Sequence, residues 1–181
     1  MVTQSIIAID PGTRGAYCIM GLDGVIWEAD NFPLIEKIVK NHRKGQKATR
    51  KDSSLDLPKI FDRFRRGAWN MVGYMELVHS RPHEGVASSF KFGLVRGQIE
   101  GIFTAMEIPF ITVSPREWQK NIHSPKDIFD KVDAKTRSKN AYLKCIDPFG
   151  DRVHDGVIDA TLIALYGQRR LTSGLDNWRF K

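Results

Sequence analysis

Cysteine is scarce in this chain and long apolar runs are missing. Two cysteines stand among 181 residues, Cys18 in an apolar segment and Cys145 late in a basic one. Two thiols so placed make neither a disulfide framework nor a CxxC-type metal site, and both read as small buried hydrophobes of a reducing compartment. No stretch approaches the ~18 uninterrupted apolar residues of a membrane span, and the N-terminus has neither a basic n-region nor a cleavage site. A cytoplasmic protein with no membrane association and no targeting segment is expected. Internal repeats, low-complexity tracts and interdomain linkers are also missing. Acid is in deficit: 21 Asp+Glu against 28 Lys+Arg leave a formal charge of +7. The sequence pI of about 9.5 favours an anionic partner such as nucleic acid, without choosing one. At this length, with 41% hydrophobic residues, one domain over residues 1–181 is expected.

What is present begins as strand, turn, strand, turn, strand, at roughly 5–10, 15–20 and 24–28, with Gly21-Leu22-Asp23-Gly24 as a hairpin connection. Residues 36–52 are basic, with hardly a large apolar residue after Val39, and are expected to form a solvated loop or partly disordered arm near 37–52. Leu57, Ile60, Phe61 and Phe64 have helical spacing, and Gly67 is placed at that helix's end. The apolar run 72–78 predicts a fourth strand; a long helix should follow, opening after residue 85 and ending near Met106. A fifth strand is predicted at 108–113, and Ser114-Pro115 then forms an N-cap with proline at the first helical position. Residues 133–146 read as a basic helix, 147–150 as a turn and 155–168 as an apolar helix. Three hairpin strands followed by alternating helices and strands specify an α/β fold, a mixed five-stranded sheet with helices on its faces.

Three carboxylates interrupt apolar elements. Asp10 closes Ile6-Ile7-Ala8-Ile9, Glu76 lies inside Val72–Val78, and Asp159 lies inside Val157–Leu165. Desolvating an ion costs several kcal/mol, so each needs a partner. Asp155, four residues before Asp159, shares its helical face, and that face continues through Leu162, Ile163 and Tyr166 and must pack inward. Four clustered carboxylates would stay partly protonated unless cations neutralised them, and two Mg²⁺ ions, with Mn²⁺ as an alternative, suit an all-oxygen site. Two such ions can clamp the attacking and leaving oxygens of a phosphoryl displacement, which is nuclease chemistry. Three of the four acids also have a plainer reading: Asp10 as turn former, Asp155 as N-cap, Asp159 in an ion pair with a distant arginine; Glu76, in a strand with no adjacent basic residue, is harder to dismiss.

At this point the residues resemble a known family, the RuvC-type Holliday junction resolvases of the RNase H-like superfamily. Ile7-Ala8-Ile9-Asp10-Pro11-Gly12 resembles its first motif, and Met75-Glu76 with Val78-His79 its second. Gly85–Gly93 with Arg96-Gly97, then Val113-Ser114-Pro115 with Trp118 and Lys120, is similar to the phage and chloroplast branch. His154-Asp155-Gly156-Val157-Ile158-Asp159-Ala160 resembles the last motif, spaced by four as in that branch, although its final acid is usually Glu. The resemblance implies an RNase H-like sheet with helices on both faces, with Asp10, Glu76, Asp155 and Asp159 as catalytic metal ligands and His154 as a substitute ligand. It further implies a homodimer that uses the long helix, and an Mg²⁺-dependent endonuclease of DNA recombination and repair, resolving four-way junctions by paired symmetric nicks.

In that reading His79, Arg81, Lys120, Lys135, Arg137 and Lys139 contact DNA, with His83 beside them, and Phe90 is either core or a wedge at an opened junction. Gly93, Gly97 and Gly101 form a stripe on the long helix that needs a close neighbour, either another copy or the chain's own sheet. Alternatives are cleavage of RNA–DNA hybrids and noncatalytic junction binding on the same fold. An actin-like ATPase shares Asp-x-Gly-Thr after a first strand, but requires a second domain and phosphate loop that the sequence does not contain.

Overall fold

Alternation along two neighbouring strands decides which way the functional carboxylates face. The computed structural model describes residues 4–12, 15–43, 46–66, 70–78, 85–145 and 153–176. Its elements are β1 (Ser5–Asp10), β2 (Ala16–Gly21), β3 (Ile26–Asn31), β4 (Leu34–Arg43), β5 (Gln46–Leu55), α1 (Leu57–Arg65), β6 (Met71–Glu76), α2 (Val86–Ala105), β7 (Phe110–Val113), α3 (Pro115–Ile122), α4 (Pro125–Phe129), α5 (Ala134–Cys145) and α6 (Asp155–Thr172). Five strands form one mixed sheet in the order β3-β2-β1-β6-β7, with β1 antiparallel to β2 and parallel to β6. On β1, Ile6 and Ala8 join the core beneath α6, while Ile7 and Ile9 join the core beneath α1 and α2. On β6, Val72 and Tyr74 likewise face α6. The period of two therefore carries Asp10 and Glu76 to the α6 side.

Helices cover both faces. On one, α6 lies across β1 and β2 beside α3 and α5. Its approach is close at Gly167, where a Cβ would come within 2.6 Å of the Tyr74 ring. On the other, Ile60 and Phe64 of α1 pack with Val95, Ile99, Ile102 and Phe103 of α2. Ser114 caps α3 by accepting a hydrogen bond from Glu117 N at 3.2 Å, with proline following as expected. The short α4 has no counterpart among the elements expected from the sequence.

Several expectations are corrected. The segment expected as a loop near 37–52 is, over its described residues, a strand pair: β4 and β5 pair antiparallel from Leu34–Leu55 to Arg43–Gln46 as a separate two-stranded sheet. Extended pairing satisfies the backbone of a segment with no proline and with Ile35, Ile38, Val39 and Thr49 at paired positions. Cys145 is exposed rather than buried, whereas Cys18 is buried as read. Phe90 is 71% exposed, not core. A Cβ on Gly93, Gly97 or Gly101 would meet nothing within 4 Å among the described residues, so packing against them does not account for that stripe. The turn placed at 147–150 and the helix stop at Gly67 lie outside the described residues. No helix among those described is long and apolar enough to cross a membrane.

Candidate active site

The carboxyl ends of β1 and β6 are neighbours. Their parallel register runs from Ser5–Met71 to Ile9–Met75, so Asp10 and Glu76 are the next positions on adjacent strands. After Asp10 the chain folds back tightly: Gly15 N donates to Gly12 O at 2.8 Å, and a Cβ on Gly15 would lie 2.2 Å from Asp10 O. Only glycine fits there, and the closeness of that return fixes the rim on which Asp10 stands.

Asp10 is held in an environment hostile to charge. Burial, then the negative charges of Glu76 and Asp159, push its carboxyl up to about 7, against a lowering contribution from the Gly12 N–H. Asp159 is raised too, first by burial and then by the charge of Asp155, while Ser138 donates to it and opposes the shift. Its Oδ1 is buried without a hydrogen-bond partner among the described residues. Glu76 is oriented by Trp118, which is fully buried and donates from Nε1 to Oε1 at 2.9 Å. Glu76 and Asp159 thus both lie within electrostatic reach of Asp10.

Asp155 is not drawn into that group. It is the first residue of α6 rather than its N-cap, a position held by His154 without a side-chain cap bond. Its carboxylate pairs with Lys135 Nζ at 2.7 Å, and both side chains are mostly exposed. Among the described residues, no three His, Cys, Asp or Glu side chains are grouped closely enough to hold a metal ion. The donors nonetheless fit a hard cation in kind: all are carboxylate oxygens, the charges of Glu76 and Asp159 raise the Asp10 pKa, and one buried Asp159 oxygen has no hydrogen-bond partner among the described residues.

A cleft of about 320 Å³ opens beside them, lined in part by Glu76, Gln119, Lys135, Ser138, Asp155 and Asp159. A second cavity of about 510 Å³ shares Gln119 and is lined by Arg116, Lys120, His123 and Arg137. Buried beside it, Arg137 Nε and His123 Nδ1 lack hydrogen-bond partners among the described residues, and His123 Nε2 lies 3.2 Å from Ser138 Oγ. Burial and then Arg137 push the His123 pKa below its ordinary value, against the pull of Asp127. Of the residues read as DNA contacts, Lys120 and Arg137 line this cavity, Lys135 is paired with Asp155, and Lys139 is exposed. His79, Arg81 and His83 lie outside the described residues.

Sequence reasoning missed Trp118 as the partner of Glu76, and Ser138 as that of Asp159. For Trp118 a signal existed. The Ser114-Pro115 cap starts α3 directly after β7, which pairs with β6 through Glu76–Val113, so the first turn of α3 brings position 118 over Glu76. Ser138, between Arg137 and Lys139, gave none.

A mixed sheet in this order, with helices on both faces, is the RuvC and RNase H-like fold. The solved structures it resembles include Thermus thermophilus RuvC in complex with a Holliday junction substrate, at TM-score 0.58 and 11% identity over 94% of this chain and 97% of that one. A second T. thermophilus RuvC structure superposes at TM-score 0.53 with 12% identity, again over 94% and 97% of the two chains. No protein-family model matches the chain. No curated protein matches it in sequence.

Proposed function

We propose that this protein is a divalent-metal-dependent, structure-selective DNA endonuclease that nicks four-way junctions symmetrically. The observation that carries the reading is the convergence of Asp10, Glu76 and Asp159 at one edge of a RuvC-like sheet, with a buried Asp159 oxygen left without a partner. The neighbour solved with a Holliday junction supports branched DNA as substrate. The four-residue spacing of Asp155 and Asp159 supports the phage and chloroplast branch.

Asp10, Glu76 and Asp159 would hold the metal, joined by Asp155 once it leaves Lys135. Mg²⁺ or Mn²⁺ bound there would supply Lewis-acid activation of water and of the scissile phosphate. Trp118 fixes the Glu76 carboxylate and Ser138 donates to that of Asp159, so neither acid must reorganise when the substrate arrives. Lys135, released from Asp155, becomes a phosphate contact at the rim of the cleft. Arg116, Lys120 and Arg137 hold the backbone beside it without reading sequence.

A symmetric dimer would give the two cuts. Val86, Phe90 and Leu94 are exposed on α2 beside the unfilled glycine positions, and this face supports a two-fold contact.

The test is to incubate labelled four-way junction, flap, fork, linear duplex and RNA–DNA hybrid with protein and Mg²⁺, using Asp10→Asn as control. Paired nicks on the junction are expected. Asp10→Asn should reduce nicking by about 10³-fold or more, several kcal/mol of transition-state stabilisation, while junction affinity is kept. Nicking at the wild-type rate by Asp10→Asn, or cleavage of the hybrid alone, would overturn the reading.

A further inference from the structure

We propose that the β4–β5 hairpin is a DNA-binding arm, a basic ribbon that lies along one duplex arm of the substrate. The inference rests on the junction-nuclease reading and adds to it an interaction surface separate from the carboxylate edge and the cleft.

The root of the ribbon is fixed by register. Asp10 pairs with Ala16, and Ala16 with Asn31, so β3 ends two strands away from Asp10 at the same edge of the sheet. Phe32 N donates to Gly15 O at 2.9 Å, tying the exit from β3 to the residue that packs on Asp10. Asp56 N then donates to Pro33 O at 2.9 Å and closes the base of the ribbon. Lys91 of α2 braces it through Asp52 at 2.8 Å. Leu55 is buried at this root, yet the opposite strand is exposed from Leu34 to Ile38, and Ile38 is 73% exposed. Beyond Ile38 the hairpin continues as β4 paired to β5.

A segment so poor in apolar residues gains little from burial. Between Lys37 and Lys51 the apolar residues are Ile38, Val39 and Ala48, whereas the cations are Lys37, Lys40, Arg43, Lys44, Lys47, Arg50 and Lys51, with no acid among them. A lone two-stranded hairpin is marginal in water, and one charged with a single sign is worse. An anionic partner supplies both the missing contacts and the neutralisation.

The dimensions favour duplex DNA. Strands of ten residues span about 33 Å at ~3.3 Å per residue, close to one helical turn, and a two-stranded ribbon fits a major groove about 12 Å wide. The register puts cationic positions on both faces of the ribbon, as groove binding between two phosphate walls requires. At the other end of the sheet β7 leads into α3 and its cavity of Arg116, Lys120 and Arg137, so cations flank the carboxylate edge on both sides.

The experiment measures affinity by fluorescence anisotropy in EDTA, where nothing is cut, across about 50–200 mM salt. Probes are a four-way junction with full arms, the same junction with arms shortened by one helical turn, linear DNA duplex and RNA duplex. A variant carrying Lys40→Gln, Arg43→Gln, Lys47→Gln and Arg50→Gln is compared with a charge-matched control carrying Arg65→Gln, Arg66→Gln, Lys126→Gln and Lys131→Gln.

The hairpin variant should bind the full junction about 100-fold more weakly, and its log–log salt slope should shrink by roughly 3 to 4, or ~0.9 per lost phosphate contact. The control should change affinity less than about threefold. Shortening the arms should weaken the wild type and barely affect the hairpin variant. With Mg²⁺ restored, KM should rise while kcat at saturating junction stays within about twofold, because the arm touches no reacting atom. Exchanging the same four positions between Lys and Arg should restore affinity and slope.

An unchanged slope in the hairpin variant, loss of affinity in the Lys–Arg exchange, or preference for the RNA duplex would each overturn the arm. A wild type that neither binds nor nicks the junction overturns the nuclease reading instead, and that outcome is read without any variant.

Discussion

At the residue scale, the informative contrast is between two acids on one helix. Asp159 holds a buried oxygen without a partner, while Asp155, one turn earlier, is exposed and paired with Lys135. An exposed pair of this kind contributes little to stability, so little opposes the departure of Asp155 toward a metal. Asp155→Asn should therefore leave the urea midpoint almost unmoved, within about 0.5 kcal/mol, while nicking falls by about 10²-fold or more. A large loss of stability with activity retained would assign Asp155 to the fold alone. Trp118 makes the complementary case. Trp118→Phe keeps most of the buried volume but removes the donor to Glu76, a bond to a charged group worth about 1.5–3 kcal/mol. Nicking should fall about 10- to 100-fold, and the Mg²⁺ concentration for half-maximal rate should rise in step. A lower rate at every Mg²⁺ concentration, with the midpoint unmoved, would argue against this orienting role.

At the element scale, α2 carries a testable oddity. Its glycines at 93, 97 and 101 have open space where a Cβ would sit, and each costs about 1 kcal/mol of helix stability relative to alanine. If a second copy uses that space, Gly97→Leu should raise the thermal midpoint of the monomer or leave it unchanged, while sedimentation shifts from dimer to monomer. A variant that stays dimeric would move the two-fold contact elsewhere. The elements legible in the sequence share one property, a period matched to burial. Ile6–Ile9 and Val72–Met75 name their strands, and Leu162, Ile163 and Tyr166 name the inward face of α6. The hairpin is hidden because its charge outweighs its pattern: two ten-residue runs without proline flank Lys44-Gly45, and cross-strand pairing needs no buried face to satisfy the backbone. Residue type alone would put Cys145 and Phe90 in the core, although the helical faces on which they lie are exposed. The site acids are readable for the opposite reason, since a carboxylate in an apolar run is conspicuous. Partners such as Ser138, which arrive by tertiary packing, leave no local mark.

At the scale of the whole molecule, the carboxylate cluster opposes the fold that holds it. Unfolded, Asp10 releases its proton near the ordinary 3.8; folded, burial and the neighbouring charges of Glu76 and Asp159 hold the proton until about 7. Between those values the native state binds more protons than the unfolded one, so this group's contribution to unfolding free energy falls as pH rises, and above about 7 the penalty is complete. Asp159, raised in the same direction, adds to it. His123 acts with the opposite sign: its lowered pKa withdraws stability as pH drops through its ordinary 6.5, within the range over which Asp10 acts. Comparing wild type with Asp10→Asn at each pH cancels that second contribution. In EDTA the variant should match the wild type near pH 4 and become more stable than it by pH 8, by on the order of 2–4 kcal/mol, since the rise of the Asp10 carboxyl from 3.8 to about 7 bounds the effect. Mg²⁺ reverses the ranking by mass action, because it binds the folded carboxylates and scarcely the unfolded ones. Added at pH 8 it should raise the wild-type melting temperature strongly and that of Asp10→Asn weakly; at pH 5, where the proton competes, it should move neither much. Equal melting temperatures for the two proteins at pH 8 in EDTA would mean that Asp10 is not held against its charge, and that the drive to recruit cations lies elsewhere.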